Sequence, residues 1–152
     1  MIEQRIKELG YELPEAPKPV AAYIPAVQSG NLVFTAGQIP IKNGQLLYKG
    51  KLGDNIDIDT GQDAARLTAL NCLSVIKSLI GDLDRINRIV KLTVFVNGID
   101  DFADAPKVAN GASEFLVQLF EDAGKHARSA VGVSGLPIGA CVETEMIVEL
   151  KM

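Results

Sequence analysis

The sequence predicts a single α+β domain in which one sheet carries two long helices on one face. Three observations lead there. Two stretches of helical periodicity, opening at Asp59-Thr60 and at Asp104-Ala105-Pro106, are separated by the strongly apolar run IVKLTVFV. Short β-rich runs precede the first stretch and follow the second. The 152 residues suit one domain, since domains commonly hold about 100–200 residues.

Each element has its own signal. MIEQRIKELG reads as a short amphipathic helix, and Pro14, Pro17 and Pro19 favour an extended connector, so residues 1–19 form a lead-in. VAAYIPAV is expected to be a first strand, Gln28-Ser29-Gly30-Asn31 a turn, and LVFTAGQIP a second strand stopped by Pro40; together they suggest a hairpin. Asn43-Gly44 is a further turn signal, with a short strand expected around Leu46 to Tyr48. Ala64, Leu67, Leu70, Leu73, Ile76 and Ile80 then recur at helical spacing up to Gly81. The second helix tolerates Pro106 in its first turn and runs through Phe115 and Leu119 to Gly124. Lys125 to Leu150, KHARSAVGVSGLPIGACVETEMIVEL, reads as a closing pair of strands around a Gly-Pro-Gly turn. The order is helix, hairpin, long helix, strand, long helix, hairpin, or two β-helix-β halves in series. Phe34, Val94, Val96, Val131 and Val133 supply more apolar strand surface than two helices can hide, which makes self-association the expectation.

Composition narrows the function. No apolar run approaches the roughly 18 residues of a membrane span, and the N-terminus lacks the basic-then-apolar pattern of a signal peptide, so a cytoplasmic protein without a membrane partner is expected. A net charge of −4, with no segment rich in Lys and Arg, disfavours nucleic acid as a partner. His126 is the single histidine, and Cys72 and Cys141 show no ligand spacing, so no metal site is expected and the thiols read as structural.

The chemistry concentrates in the closing segment. Arg128 opens a strand otherwise built of Ala, Val, Gly and Ser, and Glu143 lies inside the last one. A guanidinium there either forms an ion pair with Glu143 or Glu145, or clamps a ligand carboxylate through its planar fork. Glu143 either satisfies an arginine or orients and deprotonates water. His126 falls on the same side of an extended strand as Arg128, with ligand contact and a half-exposed loop position both open. Gly37 marks a strand end or bulge.

Three ordered motifs carry a resemblance. ARSAVGVSGLPIGACVETEMIVE resembles the C-terminal signature of the RidA/YjgF family of reactive intermediate deaminases, often labelled endoribonuclease L-PSP: Arg128, Val131, Val133, Leu136-Pro137 and Glu143 fall at the family's spacing without a gap. NLVFTAGQIP resembles the family's second strand with its Gly-Gln-Ile-Pro end, and VKLTVFVNGIDDFAD the strand leading into the second helix. The resemblance covers most of the chain from Val20 onward, and a sister branch with a longer N-terminus is most similar.

That resemblance implies a chorismate-mutase-like α+β fold: two β-helix-β halves, one mixed sheet with two long helices on one face, and a homotrimer around a central barrel with sites in the clefts between subunits. It implies hydrolysis of small enamines and imines such as 2-aminoacrylate to a 2-keto acid and ammonia, without metal or organic cofactor. Carried over by position, Arg128 holds the substrate carboxylate and Glu143 orients the attacking water and shuttles protons. The carbonyl of Ala130 helps fix that water, Tyr23 forms pocket wall from a neighbouring subunit, Gly37 lies at the substrate, and Asn110 corresponds, across a length difference, to an asparagine of the second helix. Ala36 and Ala130 depart from the family's frequent Ser and Cys. A non-catalytic binder of small carboxylates is the alternative; an endoribonuclease fits the acidic balance less well.

Overall fold

The structure, a computed structural model, describes residues 1–18 and 22–152. Helix α1 (Ile2–Glu8) is followed by strands β1 (Ala26–Ser29) and β2 (Leu32–Thr35), a small hairpin of β3 (Ile41–Lys42) and β4 (Gln45–Leu46), and the long helix α2 (Ile58–Ile80). Strand β5 (Ile86–Asn97), helix α3 (Ala105–Phe120), β6 (Ala127–Val133) and β7 (Val142–Leu150) complete it. The main sheet has the order β1-β2-β7-β5-β6, with β5 and β6 parallel and every other pair antiparallel. The α+β fold and mixed sheet expected from the sequence are therefore present, with three helices in all among the described residues.

Local chemistry accounts for the boundaries. The Asp57 side chain accepts a hydrogen bond from the Thr60 amide at 2.8 Å and caps α2, while Gly81, at φ +88°, ends it where a side chain would be strained. Asn43 and Gly44 both adopt positive φ, the geometry of a two-residue hairpin turn, and join β3 to β4. At the crossing of the two long helices, a methyl group on Gly111 would stand 2.1 Å from the Gln62 carbonyl oxygen, so only glycine permits this approach. Between helices and sheet lies one core that includes Leu73, Ile76, Leu92, Phe115, Leu116 and Met146. Helix α1 joins it through buried Ile6, and the Arg5 guanidinium caps the end of α3 by donating to the Leu119 carbonyl at 2.8 Å.

Four expectations are corrected. The first strand, expected over Val20 to Val27, lies at Ala26–Ser29, so Gln28 and Ser29 belong to the strand and the turn is Gly30-Asn31; residues 19–21 fall outside the described residues. No strand reaches Tyr48. The closing strands are not a hairpin, because β5 lies between β6 and β7 and pairs with both. Crossovers through α2 and α3 thus share β5, so the two expected halves overlap. Finally, Val94 and Val96 are fully buried against the helices, on the same side of β5 as Leu92. The open face retains exposed Val27, Phe34 and Val131, but also presents Lys91, Thr93 and Glu145. It is less apolar than the sequence suggested.

Candidate active site

Arg128 is built into β6, an edge strand, at the position paired with Leu92. Leu92 is fully buried beneath the helices, so the guanidinium leaves on the helix side. There it meets α3. One terminal nitrogen, Nη1, donates to Asn110 Oδ1 at 2.9 Å and to Ser113 Oγ at 3.1 Å. Asn110 and Ser113 are one helical turn apart and share a face of α3, which is why both reach the same nitrogen. Among the described residues Arg128 forms no ion pair. The pairing with Glu143 or Glu145 left open by the sequence is therefore not made within the chain.

His126, just before β6, extends this cluster. Its Nε2 lies 2.9 Å from Ser113 Oγ and its Nδ1 lies 2.7 Å from the Gly124 carbonyl oxygen. Burial pushes the imidazole below its ordinary pKa; the carbonyl bond opposes this, and the Arg128 charge adds to it. His126 is thus the half-exposed loop residue that the sequence allowed for, and its ring is a hydrogen-bond partner of α3. Ser113 escaped the sequence reading. Its signal is a small hydroxyl one turn beyond Asn110 on a helix whose other face is apolar.

Glu143 belongs to a second cluster. On β7 it pairs with Phe95 of β5, on the sheet face opposite the helices, and it lies beside Gly37, two residues past the end of β2. A methyl group on Gly37 would stand 2.3 Å from Glu143 Oε2, so the missing side chain is the space the carboxylate occupies. Gln38, next in the chain, bridges to Thr144 and fixes this approach through two backbone bonds of 2.8 and 2.9 Å. Burial, and then the nearby Glu145 charge, raise the Glu143 pKa above the usual carboxylate range. A carboxylate so tuned exchanges protons nearer neutrality than a free one.

The structure thus gathers Arg128 with Asn110, and Glu143 with Gly37, but it does not bring the two groups together in one chain. Ala130 lies part-buried opposite Val94, on the Arg128 side of β6. Tyr23 stands exposed ahead of β1, at the other edge of the sheet.

A family model described as "YjgF/chorismate mutase-like, putative endoribonuclease" matches residues 3–150. Protein TCP17 of Trypanosoma cruzi is 42% identical over 151 residues, covering 99% of this chain and 94% of that protein. A 2-iminobutanoate/2-iminopropanoate deaminase of Dermatophagoides farinae is 32% identical, covering 91% and 93%. Among solved structures, one from Shewanella oneidensis, named as an endoribonuclease of the same unproven kind, superposes with a TM-score of 0.94 at 33% identity, covering 99% of both chains. Escherichia coli TdcF with bound serine superposes with a TM-score of 0.65 at 27% identity, covering 90% of this chain and 94% of that one. With its mixed sheet, its three helices and a match along nearly its whole length, the chain belongs to the YjgF/chorismate mutase-like family, the RidA family that its closing motif resembles.

Proposed function

We propose that the protein hydrolyses small enamine and imine carboxylates, with 2-aminoacrylate as the representative substrate, in clefts between the subunits of a homotrimer whose sheets surround a central barrel. The carrying observation is Arg128: a permanently charged group at the head of an edge strand, held among the described residues by two neutral partners and by no carboxylate. A ligand carboxylate supplies the missing charge. The deaminase named among the relatives, and the serine bound by TdcF, support a small amino- or imino-acid ligand.

The reaction needs only water and proton transfer. Protonation of the methylene carbon of 2-aminoacrylate gives the 2-imino acid; water adds to the C=N carbon, and ammonia leaves as the carbonyl of the 2-keto acid forms. Arg128 binds the carboxylate throughout. Glu143 accepts the proton of the attacking water and returns it to the departing nitrogen, a role its raised pKa suits. The Ala130 carbonyl helps fix the water, and Tyr23 closes the pocket. No metal or organic cofactor enters the scheme.

The trimer is part of the proposal because the sheet separates Arg128 from Glu143 within one chain. Contact between copies unites them if β6 of one subunit meets the β1-β2 side of the next. Both β1 and β6 are edge strands, which leave backbone groups unpaired, and Val27, Phe34 and Val131 expose apolar surface nearby. Release of ammonia from freshly generated 2-aminoacrylate, compared with the spontaneous rate, tests the activity. A rate no faster than the spontaneous one, with pyruvate still bound, leaves a binder of small carboxylates and rejects the enzyme.

A further inference from the structure

The hydrogen bonds around Arg128 have a single consistent direction. The Gly124 carbonyl can only accept, so His126 Nδ1 carries a proton. Burial and the neighbouring guanidinium keep the ring neutral, which leaves Nε2 an acceptor. The Ser113 hydroxyl therefore donates to Nε2, and its oxygen accepts from Arg128 Nη1. Asn110 Oδ1 takes the other Nη1 hydrogen. Both hydrogens of that nitrogen are directed into the protein.

A guanidinium offers two parallel forks, one across its two terminal nitrogens and one across Nε and Nη2. Only the second is left intact here. We propose that Ser113 and His126 are positioning residues that, with Asn110, hold Arg128 by Nη1 and present its Nε–Nη2 edge to the carboxylate of a small ligand. This rests on the reading of Arg128 as the carboxylate clamp and adds which edge binds and what aims it. Neither residue touches the ligand; both act by removing the freedom of a long side chain before binding, so they affect affinity rather than the chemical step.

The relay makes His126 replaceable by another acceptor of similar reach. In His126→Gln the amide oxygen can accept from Ser113, whereas in His126→Leu the hydroxyl loses its acceptor and is free to turn toward Arg128 or solvent. The experiment titrates pyruvate, a 2-keto acid with one carboxylate, into wild type, Ser113→Ala, His126→Leu, His126→Gln and Arg128→Ala, and measures kcat and KM with freshly generated 2-aminoacrylate. Ser113→Ala and His126→Leu are expected to raise Kd and KM about tenfold, the size of one hydrogen bond to a charged group, with kcat within about twofold. His126→Gln is expected to recover most of that loss. Nitrogen chemical shifts of His126 in the wild-type protein provide a readout independent of any variant's folding, and the Nδ1–H neutral form is expected.

Unchanged pyruvate affinity in both Ser113→Ala and His126→Leu, together with its loss in Arg128→Ala, overturns the positioning role and leaves the clamp intact. A His126→Gln variant as weak as His126→Leu, or a neutral ring protonated on Nε2, overturns the relay. Unchanged affinity in Arg128→Ala overturns the clamp, and the positioning role with it.

Discussion

Arg128 and Glu143 leave the same sheet on opposite faces. The register of β5, which lies between their strands, establishes this: Leu92 pairs with Arg128 and Met146 on the helix side, whereas Phe95 pairs with Val131 and Glu143 on the other. Leu92 and Met146 are buried under the helices, and Val131 is exposed. The two residues that carry the proposed chemistry are thus divided by a layer of backbone. Each has its own support, Asn110 and Ser113 for the arginine and the empty Cβ position of Gly37 for the glutamate.

Replacing Arg128 should separate binding from folding. The side chain makes two hydrogen bonds to neutral, part-buried groups and no ion pair among the described residues, so Arg128→Ala is expected to cost about 1–2 kcal/mol of stability. Loss of a charge-assisted fork to substrate is expected to cost about 2–5 kcal/mol in kcat/KM. Arg128→Lys should rescue only partly, because an ammonium has no planar fork. Melting curves and deaminase rates on the same samples check this, and a folded Arg128→Ala protein with unchanged turnover rejects the clamp.

Two glycines should behave in opposite ways. At Gly111 the added methyl group meets the backbone of Gln62, which cannot yield without moving α2 against α3. Gly111→Ala is expected to lower stability by about 1–3 kcal/mol or more, with activity falling only as folded protein is lost. At Gly37 the obstacle is the end of the Glu143 side chain, which can swing away. Gly37→Ala should therefore melt nearly as wild type while turnover drops at least tenfold. Denaturant midpoints and kcat for both variants decide the matter, and equal loss of stability in the two would contradict it.

The contrast between these elements shows what the sequence made legible. Helix α2 could be read because its core residues recur at helical spacing between two local stop signals, and the Asp57 cap and Gly81 end are local chemistry. The family motif likewise pointed to Arg128 and Glu143, and Asn110 proved to touch Arg128 despite a length difference. The insertion of β5 between β6 and β7 was hidden, since Gly135-Leu136-Pro137-Ile138-Gly139 punctuates the chain as a hairpin turn would. Pairing partners are chosen by distant residues, here through the α3 crossover. Without that register the facing of Val94 and Val96, and of Arg128 against Glu143, could not be assigned.

The two thiols should be inert in the folded protein. Cys72 has no exposed surface and donates to the Thr144 carbonyl at 3.4 Å; burial pushes its pKa up to about 12. Cys141 is equally enclosed and pushed up to about 11. Thiolate is the reacting form, so at pH 8 neither is expected to titrate with an aromatic disulfide reagent over minutes, and both should react after unfolding in guanidinium. Rapid reaction of either thiol under native conditions would show that the helix-sheet layer opens locally.

His126 should make stability fall on the acid side. Its folded-state pKa lies below the ordinary value of 6.5, chiefly through burial, so the unfolded chain binds the proton more readily. Its contribution is then fully present above the unfolded pKa and is lost as pH falls through the folded one. Arg128 faces the ring from β6, and Lys125 in the adjoining turn pairs with Asp122 at 3.0 Å; neither carries a negative charge that would hold the imidazolium. Melting temperatures between pH 5 and pH 8 should show a wild-type slope that is shallower in His126→Gln. Parallel curves for the two proteins would mean that the ring is not desolvated.

The separation of Arg128 from Glu143 gives the intersubunit site its sharpest test. If each cleft takes Arg128 from one copy and Glu143 from the next, then Arg128→Ala and Glu143→Gln impair the same site from different chains. Each variant alone is expected to lose activity by about 30-fold or more, the glutamine because it can hold water but cannot take its proton. In mixed oligomers a Glu143→Gln copy still supplies Arg128 and an Arg128→Ala copy still supplies Glu143, so some clefts regain both. Coexpression, with purification through two different tags, should therefore recover activity to about a third of wild type per trimer, because every mixed trimer holds one intact cleft of its three. The assembly should sediment as a trimer, with an interface of the obligate kind, about 2,000 Å² or more. A stable monomer at micromolar concentration would remove the shared cleft altogether. Mixed trimers as inactive as the parent variants would place both residues in one subunit, and the guanidinium would then have to pass round the β6 edge to reach the opposite face.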